Sequence, residues 1–131
     1  MSEDLAHSQN LAKTYSRLVD CYGQPWKFEQ GWGWAALLDV LCTRINSILE
    51  ETLEARLEVQ QVKEKYGTLR FYYGLHNVDD ERDKVIQDAV DLAEKASEHI
   101  CQRCGSPNAT QHDIHQLIVT LCQACRATYP R

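Results

Sequence analysis

Val62-Lys63-Glu64-Lys65-Tyr66-Gly67-Thr68-Leu69-Arg70-Phe71-Tyr72-Tyr73 carries the plainest β signal in the chain. Leu69, Phe71 and Tyr73 alternate with Thr68, Arg70 and Tyr72, the period of two that buries one strand face and leaves the other in solvent. Just upstream, Leu57 and Val59 alternate with polar neighbours. Lys65-Tyr66-Gly67 separates the two runs, which predicts an antiparallel hairpin with Gly67 at or beside the turn. The first run loses its alternation at Gln60-Gln61, the sign of a bulge or of a polar edge.

Helical periodicity lies on both sides. Trp34, Leu38, Leu41, Ile45, Ile48 and Leu49 form one stripe, widened by Leu37 and Val40, and predict a helix from about 34 to about 53. Beyond the hairpin, Val85, Ile86, Ala89, Val90, Ala93, Ala96 and Ile100 predict a helix from 78 or 79 to 99. Asn77 is its expected N-cap, and Asp79, Asp80 and Glu81 suit the positive end of its dipole. Leu5, Leu11, Tyr15, Leu18 and Val19 predict a further helix over 3–20. Trp26, Trp32 and Trp34 crowd the intervening loop and read as a cap on a core. The class is therefore α+β, helices packed on a small antiparallel hairpin or sheet. The expected organisation is a body over 1–100 and a zinc-binding module over 101–131.

That module rests on four thiols. Cys101-x2-Cys104 and Cys122-x2-Cys125 are separated by seventeen residues. Two residues between ligands let a tight knuckle aim both sulfurs at one ion, and the interval suits a short hairpin that brings the knuckles together. Gly105 follows the first pair, where a knuckle often requires a backbone that glycine adopts freely. Ile114, Leu117, Ile118, Val119 and Leu121 offer apolar cover. The expectation is one structural Zn2+ in a zinc-ribbon or treble-clef-like module. Disulfides fit poorly with an N-terminus, MSEDLAHSQN, that is acidic and polar where a signal peptide is basic and then apolar. A thioredoxin-like redox pair lacks its βαβ context, and an iron–sulfur cluster is the remaining alternative for four thiolates. His112 and His115 read as loop or surface residues. Four protein ligands close the coordination sphere, so this zinc supplies no catalytic position.

Charge narrows the function classes. The chain of 131 residues carries −5 formally, and eight acids against three bases between Asp79 and Glu98 account for that value. A tetrathiolate zinc adds further negative charge. Duplex DNA and anionic membranes attract basic surfaces, so both are poor partners, and no apolar run is long enough to span a membrane. Cys21 and Cys42 have no assignable histidine partner, and no acid–base pair stands out, which predicts a non-enzymatic protein. Lys63, Lys65, Arg70 and Tyr72 are the candidate partner-binding residues, since basic and aromatic groups on strands anchor protein interfaces or stack on single-stranded nucleic acid; the alternative is a hairpin with one face in the core and the other covered by long amphipathic side chains.

Gly31-Trp32-Gly33-Trp34, the segment from Gln61 to Tyr72, Cys101-x2-Cys104-Gly105 and Thr120-Leu121-Cys122-x2-Cys125 together resemble a group of small bacterial and phage-borne proteins. That group shares a KEK-aromatic-G-x-LRFY segment and a four-cysteine tail. The resemblance spans about Gly31 to Cys125, implies one α+β unit with a zinc tail and a bacterial or phage origin, and transfers no catalytic residue. The resulting expectation is a cytoplasmic, zinc-containing, protein-binding protein, of the immunity or antitoxin type that neutralises a bacterial toxin. The alternative is a nucleic-acid-binding zinc protein.

Overall fold

Leu57, Val59, Leu69 and Phe71 turn inward from a three-stranded sheet and are all but fully buried. The computed structural model describes residues 15–26 and 33–129. Strand β1 (Leu18–Val19) pairs parallel with β2 (Arg56–Lys65), which pairs antiparallel with β3 (Thr68–His76), giving the order β1-β2-β3. The β2–β3 turn has Tyr66 at φ 55° and Gly67 at φ 79°, the positive pair whose twist matches that of the flanking strands. Glu64 Oε2 accepts from the Gly67 N–H at 2.6 Å and holds the turn from below.

The interruption at Gln60-Gln61 is a bulge: Val59 faces Tyr73, and the next pair is Gln61 with Tyr72. One extra residue exchanges the two faces of a strand. Leu57 and Val59 therefore point inward before Gln60, and Val62, opposite Phe71, does so after it.

Helix α1 (Ala35–Leu49) lays Leu38, Leu41, Cys42, Ile45 and Leu49 against this face. Helix α2 (Asp80–Ala96, continued by a 3-10 turn over Ser97–His99) contributes Ile86, Ala89, Val90 and Ala93. Side chains from this helical stretch also occupy the edge of β3. Ser97 Oγ accepts from the Leu69 N–H at 2.8 Å, and Glu94 Oε2 accepts from the Phe71 N–H at 2.9 Å. Those strand donors are thereby withheld from any other strand. The indole of Trp34 is fully buried at the start of α1, and Trp26 packs edge-on against Phe71 at 6.2 Å between centroids, as expected of residues that cap a core; Trp32 lies outside the described residues.

Three expectations need correction. The helix over 3–20 falls partly on residues 1–14, which lie outside the described residues. Over 15–20 the chain instead forms a turn and β1, because Leu18 is fully buried where it pairs with Leu57. Helix α1 ends at Leu49 rather than 53, and Leu53 is 84% exposed, so no apolar contact extends the helix. The N-cap of α2 is Asp79, which accepts from the Arg82 N–H at 2.8 Å; Asn77, at φ 60°, donates instead to the Glu54 carbonyl.

The tail follows directly. Strands β4 (Thr110–Ile114) and β5 (Leu117–Leu121) pair antiparallel and lead into the short helix α3 (Gln123–Thr128). Its own apolar cluster contains Cys101, Ala109, Ile114, Val119, Leu121 and Cys122. Leu117, expected to cover it, is 67% exposed. No helix among the described residues is long and apolar enough to cross a membrane.

Candidate metal centre

Cys101 leaves the end of α2 as a buried residue, and the chain reverses at once: the Gly105 N–H donates to the Cys101 carbonyl and the Cys101 N–H to the Ser106 carbonyl, both at 2.9 Å. Gly105 sits at φ 85°, as the knuckle reading anticipates. The second pair is presented differently. Cys122 occupies the N-cap position of α3, and Cys125 lies in its first turn. The β4–β5 hairpin spans the interval and brings Cys104 Sγ within 3.6 Å of Cys122 Sγ.

All four sulfurs lie within 4.8 Å of one another. A tetrahedral site with Zn–S bonds of about 2.3 Å places its sulfurs about 3.8 Å apart, so the set fits one ion of that size with little adjustment. Burial pushes the Cys101 thiol up, but the backbone N–H groups of Cys104, Cys122 and Arg103 outweigh it and hold the thiol down to about 6. Cys125 is pushed up to about 12, first by its hydrogen bond with Cys122 and then by burial. Cys104 is also raised. The backbone thus stabilises one thiolate readily, and further negative charge in the cluster calls for a cation. Cys101, Cys104, Cys122 and Cys125 together can hold a metal ion.

Sequence reasoning missed the residues that lock this centre to the body. The Gly33 N–H donates to the Gln102 carbonyl at 2.7 Å, and Trp34 Nε1 donates to the Ile100 carbonyl at 2.9 Å. A Cβ on Gly33 would overlap the Cys101 carbonyl oxygen, so only glycine permits this approach. On the other side, Thr120 is completely buried and gives its hydroxyl to the Gly67 carbonyl at 2.5 Å. Gln102 then ties Thr120 to the first knuckle: Thr120 N–H to Gln102 Oε1 at 2.6 Å, and Gln102 N–H to the Thr120 carbonyl at 3.0 Å. Arg103 reaches across to α3, donating to the Cys125 carbonyl and lying 6.0 Å from the Tyr129 ring centroid. The glycines were visible as motif members, but nothing local marks a glycine as the place where a distant backbone arrives.

The structure brings Lys63, Lys65, Arg70 and Tyr72 to one place. Lys63 pairs with Arg70, Lys65 with Thr68 and Gln61 with Tyr72, which puts all four on the outer face of the β2–β3 hairpin. Tyr72 is 41% exposed. Arg70 differs from the others: its Nε is buried without a hydrogen-bond partner, and its side chain lines a depression of about 500 Å³ with Asp88, Asp91, Glu94, Lys95 and Glu98 of the α2 flank. Cys42 is buried in the core, with its thiol raised by burial and then by Asp39, and Cys21 is exposed. A search of protein-family models, of curated proteins and of solved structures finds no match to this chain.

Proposed function

We propose that this chain is a non-enzymatic, zinc-stabilised protein that binds another protein. The observation that carries the reading is the neighbourhood of Arg70. Arg70, one of the cations that would have to meet phosphates, lines a depression together with Lys95 and four carboxylates, Asp88, Asp91, Glu94 and Glu98. Such a mixed surface opposes a polyanion, and it suits a protein partner that offers charges of both signs with an excess of positive. A net charge of −5 points the same way, and a neutraliser of a basic bacterial toxin is the form of the reading that the charge supports.

The metal in this reading is zinc, closed by four thiolates and structural in role. A treble-clef-like arrangement is favoured over a zinc ribbon because the second ligand pair sits at the start of α3 rather than in a second bare knuckle. The competing reading, single-stranded nucleic-acid binding, draws on the shared outer face of Lys63, Lys65, Arg70 and Tyr72.

One preparation tests both parts. Purified chain should carry close to one zinc by elemental analysis. In a fluorescence titration at about 0.15 M salt it should show no appreciable affinity for DNA or RNA oligonucleotides. Micromolar binding that disappears on changing Lys63, Lys65 and Arg70 would promote the nucleic-acid reading. Metal-free protein with six freely titrating thiols would remove the zinc.

A further inference from the structure

Helices α1 and α2 leave a largely apolar groove of about 460 Å³ on the surface, walled by Leu37, Val40 and Leu41 on one side and by Ala89, Leu92 and Ala93 on the other, with Arg44 and Asp88 also in its lining. Val40 is 68% and Leu92 71% exposed. Large aliphatic side chains displayed side by side on adjacent helices mark an interaction surface more than scattered exposure does. Leu92 and Asp88 also line the depression beside Arg70, where four carboxylates outnumber Arg70 and Lys95, so these two side chains form the ridge between an apolar and a predominantly anionic groove. Of the carboxylates there, Asp88 is paired with Lys84 at 2.6 Å and Glu94 accepts from the Phe71 N–H. Asp91 and Glu98 form no ion pair among the described residues, Asp91 acting on Lys84 only through its longer-range field.

We infer that this double groove is a docking site for an amphipathic helix of a partner protein, with its apolar side chains between α1 and α2 and its Lys or Arg side chains beyond Leu92. The inference rests on the protein-binding reading and specifies the partner's chemistry. Charge complementarity selects the occupant. A second copy of a chain at −5 would bring its own acidic α2 into the same region, whereas a basic helix meets Asp91 and Glu98 with opposite charge. Helix-in-groove recognition supplies the geometry: anchors at i, i+3/i+4 and i+7 enter the apolar groove while the neighbouring face reaches the charged one.

The probe is a fluorescein-labelled synthetic helix with leucines at those positions and lysines along one flank, compared with a scrambled peptide of identical composition. Anisotropy titration of the full-length, metal-loaded chain is expected to favour the patterned peptide by about tenfold or more, and Leu92→Ser or Val40→Ser to remove most of that preference. Both side chains are exposed, so metal content and circular dichroism of the variants should be unchanged. Methyl resonances of Val40 and Leu92 should shift on titration. Equal binding of both peptides, unaffected by Leu92→Ser, overturns the groove while leaving the acidic face as a binding surface. Failure of both peptides overturns the groove and the basic-partner reading together. A concentration-dependent dimer abolished by Leu92→Ser would assign the groove to a second copy. Overhauser contacts from the Leu5 or Leu11 methyls to Val40 or Leu92 in the free chain would assign it to the chain's own N-terminal segment.

Discussion

Thr120 shows how a polar residue can be fully buried and still favour the fold. Its hydroxyl meets the Gly67 carbonyl, its N–H meets Gln102 Oε1 and its own carbonyl accepts from the Gln102 N–H. Burial of a hydrogen-bonding group is costly only when the bonds are missing. Thr120→Val keeps the shape and removes one donor, leaving the Gly67 carbonyl unpaired in a dry contact. The expected loss is about 1–3 kcal/mol, read from chemical denaturation of metal-loaded protein. A change within experimental scatter would mean that water replaces the hydroxyl and that the joint is not dry. Gly67→Ala should be worse than a usual glycine replacement, since it forces a side chain into φ 79° and presses Cβ to 2.9 Å from Thr120 Oγ1.

Among the elements, α2 is held at its start by Asp79. The Arg82 N–H, then the Arg82 guanidinium, keeps this exposed carboxyl below its ordinary value. A carboxylate whose folded value is lowered stabilises the fold above its unfolded value of about 3.9, and that contribution fades as pH falls through the folded value. Asp79→Ala should therefore lower Tm at neutral pH, with the gap between variant and parent closing on acidification below about 4. A gap that stays constant to low pH would show that the carboxylate charge is not what caps the helix. The N-cap itself was misplaced by two residues in the sequence reading, because Asn77 and Asp79 are equally suitable in isolation and only the turn out of β3, with Asn77 at φ 60°, separates them.

The hairpin, the break at Gln60-Gln61 and the cysteine cluster were legible because each is written in neighbouring residues: a period of two, an interruption of that period, and two knuckles of fixed spacing, although only the register shift distinguishes a bulge from a polar edge. Strand β1 was not. Leu18 and Val19 fit a helical stripe as well as a strand, and propensities differ by only a few tenths of a kcal/mol. Burying Leu18 contributes about 1.5–3 kcal/mol once Leu57 is there to pair with it, and that partner is remote in sequence. The same reason hid the contacts of Gly33 and Gly67 with the tail.

At the scale of the whole molecule, two apolar clusters are joined by backbone contacts on either side of the cysteines. The first knuckle meets the entrance of α1, and Thr120 meets the β2–β3 turn. The cysteine cluster thus sits at the joint between body and tail. Cys104→Ser should remove the metal and also free the Gly33 amide, which donates to Gln102 beside the cluster. Hydrogen exchange should show lost protection at Gly33, Cys101, Gln102 and Ala109, while amides in the middle of α1 and in the β2–β3 ladder keep theirs, since their partners lie within the body. Unchanged exchange at Gly33 after metal loss would show that the joint holds by itself.

The bond from the Trp34 indole to the Ile100 carbonyl joins residues 66 positions apart, and this matters while the protein is being made. At about 5–20 residues per second, Trp34 is synthesised roughly 3–13 s before its acceptor exists. Cys125, the last of the four ligands, comes later still. For that interval the Ile100 carbonyl that accepts from the Trp34 indole is still untranslated. The joint between body and tail therefore closes only after most of the chain has been made.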